Sequence, residues 1–198
     1  MPQDDVRCAE DARGFSLVEL LVVLSIISIL IGILLPSLQA FRVRSRKVVC
    51  ASNLKQIGAA IRIHADERNG EYPVARSMPD PFLTTNPDPA LPEALEGILG
   101  PTGPEGQPQA EVYHCPGDLG SPGVFEVCGA SYEYLTALSG RRPEDLPPVQ
   151  QGFISLSEVV VARDFDGGTF DTTGAQVTAP FFHDLRNLLF ADGHVGNF

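Results

Sequence analysis

The chain has no CxxC pair, no HExxH helix, no G-x-S-x-G elbow and no phosphate-cradling glycine loop. The common redox, zinc-hydrolase, serine-hydrolase and nucleotide-binding chemistries therefore have no constellation to stand on. Cations are also scarce, since 14 Lys and Arg face 25 Asp and Glu for a net charge of −11. The shortage is uneven: residues 36–69 carry +5 and residues 70–198 carry −13. An acidic surface repels a phosphate backbone, so nucleic acid is not an expected partner of that part. Length is limiting too. Of 198 residues, those from 70 to 198 have room for one small core rather than two.

What is present is a run with almost no charge. From Phe15 to Leu35 the chain reads FSLVELLVVLSIISILIGILL, with Glu19 its only ionisable residue. At about 1.5 Å rise per residue such a helix covers roughly 30 Å, the hydrocarbon thickness of a bilayer. Residues 15–35 are thus expected to form a transmembrane helix. A secretory signal peptide fits less well, because its apolar stretch is shorter and the segment LPSLQA that follows matches a cleavage site poorly. Glu19 is the anomaly: an acidic residue costs on the order of 2.5–3.5 kcal/mol at a bilayer's centre and less toward its edge. Charge counting adds a puzzle. Arg42, Arg44, Arg46 and Lys47 outnumber Arg7 and Arg13, so the positive-inside rule alone would leave the C-terminal part in the cytoplasm.

Gly14-Phe15-Ser16-Leu17-Val18-Glu19 followed by the unbroken apolar run resembles the class III signal of type IV pilins and type II secretion pseudopilins. The resemblance implies a leader, residues 1–14, removed by prepilin peptidase between Gly14 and Phe15, with Phe15 then methylated on its new amine. It implies that Glu19 receives the amine of a neighbouring subunit during assembly into a pilus or pseudopilus. The partners implied are the peptidase, other pilin or pseudopilin subunits, an inner-membrane assembly platform and membrane lipid. The location implied is a single pass through the inner membrane with the head in the periplasm or outside the cell. Two features depart from the family: the leader is net acidic, and the basic cluster follows the helix instead of preceding it. A monomeric membrane-anchored surface protein with an acidic ligand- or ion-binding head is the competing reading.

Beyond Leu35, Pro36 is expected to kink the helix, which resumes over residues 36–69. Cys50, Leu54, Ile57 and Ile61 recur at helical spacing and make one apolar face. Asn69-Gly70 is the expected stop. Residues 73–108 hold nine prolines and predict a surface excursion with at most a turn of helix near Pro92–Leu99. The expected strands are Glu111–His114, Val124–Val127, Ser131–Thr136 and Leu156–Arg163. A hairpin over residues 187–195 turns at Asp192-Gly193 and should be the sheet's C-terminal edge. The expected fold is α+β: a long N-terminal helix packed on a small antiparallel head, residues 70–198.

The tail is also similar to the C-terminal signature of a large bacterial group of pilin-like proteins, where nine residues lie between a histidine and Asp-Gly. Here eight separate His183 from Asp192, so either the loop is one residue shorter or His183 is not the equivalent histidine. The stretches around Cys50-Ala51-Ser52-Asn53, Asn69-Gly70-Glu71-Tyr72-Pro73 and His114-Cys115-Pro116 resemble landmarks of the same group. Cys8 lies in the leader, leaving Cys50, Cys115 and Cys128; a Cys50–Cys115 disulfide is favoured because both fall in those landmarks, with Cys115–Cys128 the alternative. His114, Cys115 and Cys128 make an incomplete zinc set. Asp164, Asp166 and Asp171 alternate with glycines in a loop that could wrap calcium, although it lacks the EF-hand spacing. His183, Asp184, Asp192 and His194 invite a metal or acid/base reading, yet Asp192 is explained as a turn residue and no pair has a compact metal-ligand spacing. No catalytic residue is assigned, and no cofactor beyond that calcium.

Overall fold

The computed structural model describes residues 16–77, 87–101, 110–120, 122–165, 167–171 and 176–197. It is α+β: helix α1 (Leu17–Asp66), short helices including α2 (Leu91–Ala94) and α3 (Val124–Cys128), and, among the described residues, six strands. The strands are β1 (Tyr132–Tyr134), β2 (Val160–Asp164), β3 (Gly168–Asp171), β4 (Gln176–Ala179), β5 (Asn187–Phe190) and β6 (Val195–Asn197). The chain divides into two compact units, residues 1–42 and 43–198.

Of the first unit, the described part is the start of α1. It stays one helix through Pro36 without a break; a proline removes one hydrogen bond, and the flanking apolar residues keep the helical path. Leu17 to Leu35 present their large apolar side chains outward, each at least 45% exposed. Its hydroxyls are satisfied inside the helix: Ser25 and Ser28 donate to Leu21 and Leu24 carbonyls at 2.7 Å, and Ser37 donates to Leu34 at 3.0 Å.

In the second unit α1 changes character. From Cys50 onward the expected stripe, Cys50, Leu54, Ile57 and Ile61, is buried to 1% exposure or less. It joins Val161 and Leu189 of the sheet and the fully buried Tyr132 and Tyr134 in one core. Gly58 lets helix and sheet approach, since a Cβ there would lie 2.8 Å from a Leu189 methyl. Helix α1 ends at Asp66, one turn before the expected stop. Asn69 and Gly70 take positive φ and carry the exit instead, with the Gly70 amide returning to the Ala65 carbonyl at 2.8 Å.

The main sheet is antiparallel in the order β1-β2-β5-β6, and β3-β4 form a separate two-stranded hairpin. Glu133 and Arg163 stand opposite each other on β1 and β2 and pair at 2.6 Å, a cross-strand contact of the stabilising kind. Strand β6 is the C-terminal edge, as expected. The turn before it differs in detail: of Asp192 and Gly193 only Gly193 has positive φ, 91°. The Asp192 carboxylate instead accepts the His194 amide at 3.1 Å, so the aspartate braces the turn by hydrogen bonding while the glycine supplies the backbone freedom.

Three expected strands need correction. Val124–Val127 is α3, because the Asp118 carboxylate caps the Val124 and Phe125 amides at 3.0 and 2.8 Å. Glu126 accepts the Gly123 amide, and Gly129 closes the turn at φ 78°. These caps outweigh the β preference of a short valine-rich run. Glu111–Tyr113 is a 3-10 turn whose Tyr113 side chain is buried. Leu156–Glu158 is another 3-10 turn, capped by Ser155 and Glu158, and strand β2 begins only at Val160. The proline-rich segment is not wholly a surface excursion either: Ala75, Ala90, Leu91 and Leu95 sit in the core.

Candidate functional site

The first candidate site is the start of α1. Ser16 precedes the helix as its cap, with its carbonyl accepting the Leu20 amide at 3.2 Å and its hydroxyl facing the Val18 amide at 3.4 Å. Glu19 reaches back, and its Oε2 accepts the Ser16 amide at 3.0 Å. Ser16-x-x-Glu19 is thus a capping arrangement, which satisfies an amide that has no intrahelical partner. The S-x-x-E spacing was visible in the sequence and supplies Glu19 with a local role beside its charge. Gly14 and Phe15, the expected cleavage pair, lie outside the described residues.

The second site lies in the head. Cys50 and Cys115 form a disulfide with a Cα–Cα distance of 5.1 Å across 65 residues of sequence. It fastens α1 to the loop ahead of α3. His183 Nε2 lies 3.4 Å from Cys115 Sγ and 3.9 Å from Asp164 Oδ2, with both the His183 and Asp164 side chains 2% exposed. Asp164 Oδ2 accepts the Asn187 amide and side-chain Nδ2 at 3.0 and 2.7 Å, while its buried Oδ1 has no hydrogen-bond partner among the described residues. Burial pushes the Asp164 carboxyl up to about 6 against the opposing pull of the Asn187 hydrogen bonds. Burial and the nearby Lys47 charge lower His183, so its ring is the neutral imidazole at neutral pH. Gly117 makes room for that ring: a Cβ there would lie 2.8 Å from His183 Cε1 and 2.9 Å from the Phe182 carbonyl oxygen. A cleft of ≈ 350 Å³ lined by Asp164, Phe165, Phe181, Phe182, His183 and Arg186 opens onto the cluster.

The structure therefore separates residues that share the tail. His183 precedes β5, whereas Asp192 and His194 follow it and pair with each other at 2.6 Å in an exposed turn. A four-residue strand intervenes, about 13 Å at the usual rise per residue. Of the expected calcium set, Asp164 is buried against Asn187, Asp166 lies outside the described residues, and Asp171 ends β3. Cys128 is not in a disulfide. The triad Cys50, Cys115 and His183 was not assembled by sequence reasoning, because nothing in the spacing of residues 50, 115 and 183 places them together.

Residues 11–35 match the family described as the prokaryotic N-terminal methylation motif. The match ends at Leu35 and does not reach the Asp192-Gly193 tail. No curated protein and no solved structure matches the chain. The apolar part of α1, with a mean hydropathy of 2.9 over its best 18 residues, is long and apolar enough to cross a membrane. With that helix and the methylation motif in register on it, the chain carries a type IV pilin-like N-terminal segment of the kind processed by prepilin peptidase.

Proposed function

We propose that the chain is a prepilin-like structural subunit. It is cut between Gly14 and Phe15, methylated at Phe15, and held in the inner membrane by the apolar part of α1 with its head outside the cytoplasm. It assembles through α1 into a helical pilus or a type II secretion pseudopilus, with other pilin-type subunits and a membrane assembly platform as partners. The observation that carries this reading is Glu19: a carboxylate in the first turn of an apolar helix, inside the matched motif. In low dielectric it offers a counter-ion to the protonated amine that processing creates. Mass spectrometry of the mature chain is expected to show a methylated Phe15 start, and a reporter fused after Ala65 is expected outside the cytoplasm. An intact Met1 start in cells that hold the peptidase, or a cytoplasmic reporter, would reject the proposal.

A second reading is favoured by one observation. Because Glu19 caps Ser16, a monomeric surface protein that used α1 only as a tether would also have a use for that carboxylate. Its head would then be the functional part, with the acidic surface or the Asp164, Asp166 and Asp171 segment taking a ligand or calcium. Crosslinking of neighbouring chains in the membrane separates the two: the tether predicts none above chance encounter.

A further inference from the structure

The disulfide and His183 make a buried donor set larger than a structural crosslink requires. Cys50 Sγ, Cys115 Sγ and a His183 ring nitrogen all lie within 4.8 Å of one another. Zinc–sulfur bonds of about 2.3 Å and zinc–nitrogen bonds of about 2.0–2.1 Å place neighbouring donors of a tetrahedral site about 3.3–3.8 Å apart. Cys115 Sγ and His183 Nε2 already stand at 3.4 Å. Asp164 Oδ2, 3.9 Å from the same nitrogen, lies just outside that set. Only the two sulfurs are too close, and only because they are bonded to each other.

We propose that the dithiol form of the chain binds a thiophilic divalent cation of the zinc class through Cys50 Sγ, Cys115 Sγ and His183 Nε2, with the fourth position open to the cleft. The dithiol is the state in which the chain is synthesised, so reaching it needs no reductant. Binding releases the two thiol protons. Two thiolates cancel the charge of the ion, and a neutral imidazole adds none. The metal would then fasten α1 to the Cys115 loop in the same place as the disulfide, and the two crosslinks would exclude each other. The cleft beside His183 and Asp164 is the entry path. Gly117 belongs to the site, because a side chain there would displace the imidazole.

The test uses the full chain in detergent micelles, opened with a water-soluble phosphine. The phosphine gives two electrons to the S–S bond, water supplies the oxygen that ends on phosphorus, and the two sulfurs take up the protons. Cobalt(II) is then added as the probe. The expected result is one cobalt per chain, with a thiolate-to-cobalt band in the near ultraviolet and the visible bands of a tetrahedral ion, both erased by an equivalent of zinc. Untreated disulfide protein should take up none. Cys128→Ser should behave as wild type, and His183→Ala should weaken binding about tenfold or more, as expected for a lost ligand. X-ray absorption on zinc-loaded wild type, counting two sulfur neighbours and the remainder nitrogen or oxygen, reads the site without any variant. No stoichiometric uptake by the reduced chain, or uptake indifferent to Cys50→Ser and Cys115→Ser, would overturn the proposal.

Discussion

Replacing Glu19 by glutamine keeps the side chain's length and leaves a carbonyl oxygen to accept the Ser16 amide, which the wild-type carboxylate accepts at 3.0 Å. Only the charge is lost. The helix start should weaken by about 1 kcal/mol or less, the difference between a charge-assisted and a neutral hydrogen bond. Assembly should suffer far more. A carboxylate and an amine about 4 Å apart gain about 4 kcal/mol at an effective dielectric near 20, but about 1 kcal/mol where water reaches them, as at the bilayer surface of a lone subunit. The difference, about 3 kcal/mol, raises the subunit density needed for assembly about a hundredfold. The assay is crosslinking of processed subunits in vesicles at matched density, with circular dichroism to follow the helix. Glu19→Gln should keep its helicity and membrane residence yet crosslink poorly, and Glu19→Ala should do the same with a more frayed helix start. Should Glu19→Gln crosslink like wild type while Glu19→Ala fails, the cap and not the charge is what matters. If both crosslink like wild type, the tether reading prevails.

His64 is buried, and burial followed by the Arg68 charge lowers its pKa below 6.5. The folded state therefore holds a neutral ring, to which Arg68 donates. Below pH 6.5 the unfolded chain binds the proton first, so the stability present above that pH is lost as pH falls toward the lowered folded value. The slope reaches up to about 1.4 kcal/mol per pH unit; urea unfolding of wild type and His64→Gln should differ by this component, and parallel curves would contradict it. Gly117→Ala should destabilise the head by about 1–3 kcal/mol through overpacking against His183 and the Phe182 carbonyl, and an unchanged unfolding midpoint would show that the loop yields. Opening the Cys50–Cys115 disulfide in the presence of a metal chelator should cost about 4 kcal/mol, from the entropy of a loop closed across 65 residues; the comparison is the unfolding midpoint with and without phosphine.

The parts of the fold written in long periodic patterns were legible. The apolar run 15–35 and the Cys50, Leu54, Ile57, Ile61 stripe both became α1, and the Asp-Gly turn became the β5-β6 edge. Short segments were not, because their outcome is set by capping and packing partners outside the segment itself. Val124–Val127 has β-forming residues but is capped as a helix by Asp118, and Asp118 reads as a loop residue until its distance from Val124 is known. Ala75 and Leu95 look like members of a proline-rich excursion, yet core contacts bury both. The site divides the same way. Glu19 stood out because its surroundings in sequence are its surroundings in space. His183 meets Cys115 68 residues away, a distance no local pattern encodes.

The exposed apolar surface of α1 does not by itself argue for assembly, since lipid covers a single helix as well as a neighbour does. What distinguishes the readings is whatever lipid cannot cover. The serines within and just after the span do not qualify, because Ser25, Ser28 and Ser37 each give their hydroxyl proton to a carbonyl of their own helix. Glu19 accepts a hydrogen bond from its own helix as well. An amide satisfies an oxygen but does not cancel a charge, so the Glu19 cap removes the hydrogen-bonding deficit and leaves the electrostatic one. A tether could escape that deficit cheaply with serine or glutamine at position 19, either of which caps without ionising. The retained charge calls for a cation at the same depth. Within this chain the nearest basic side chains after the span are Arg42 and Arg44, more than 30 Å along a helix that rises about 1.5 Å per residue. Under the proposed cut between Gly14 and Phe15, the cation that matches the depth of Glu19 is the new N-terminus, four residues before it on the same chain or on the chain beside it.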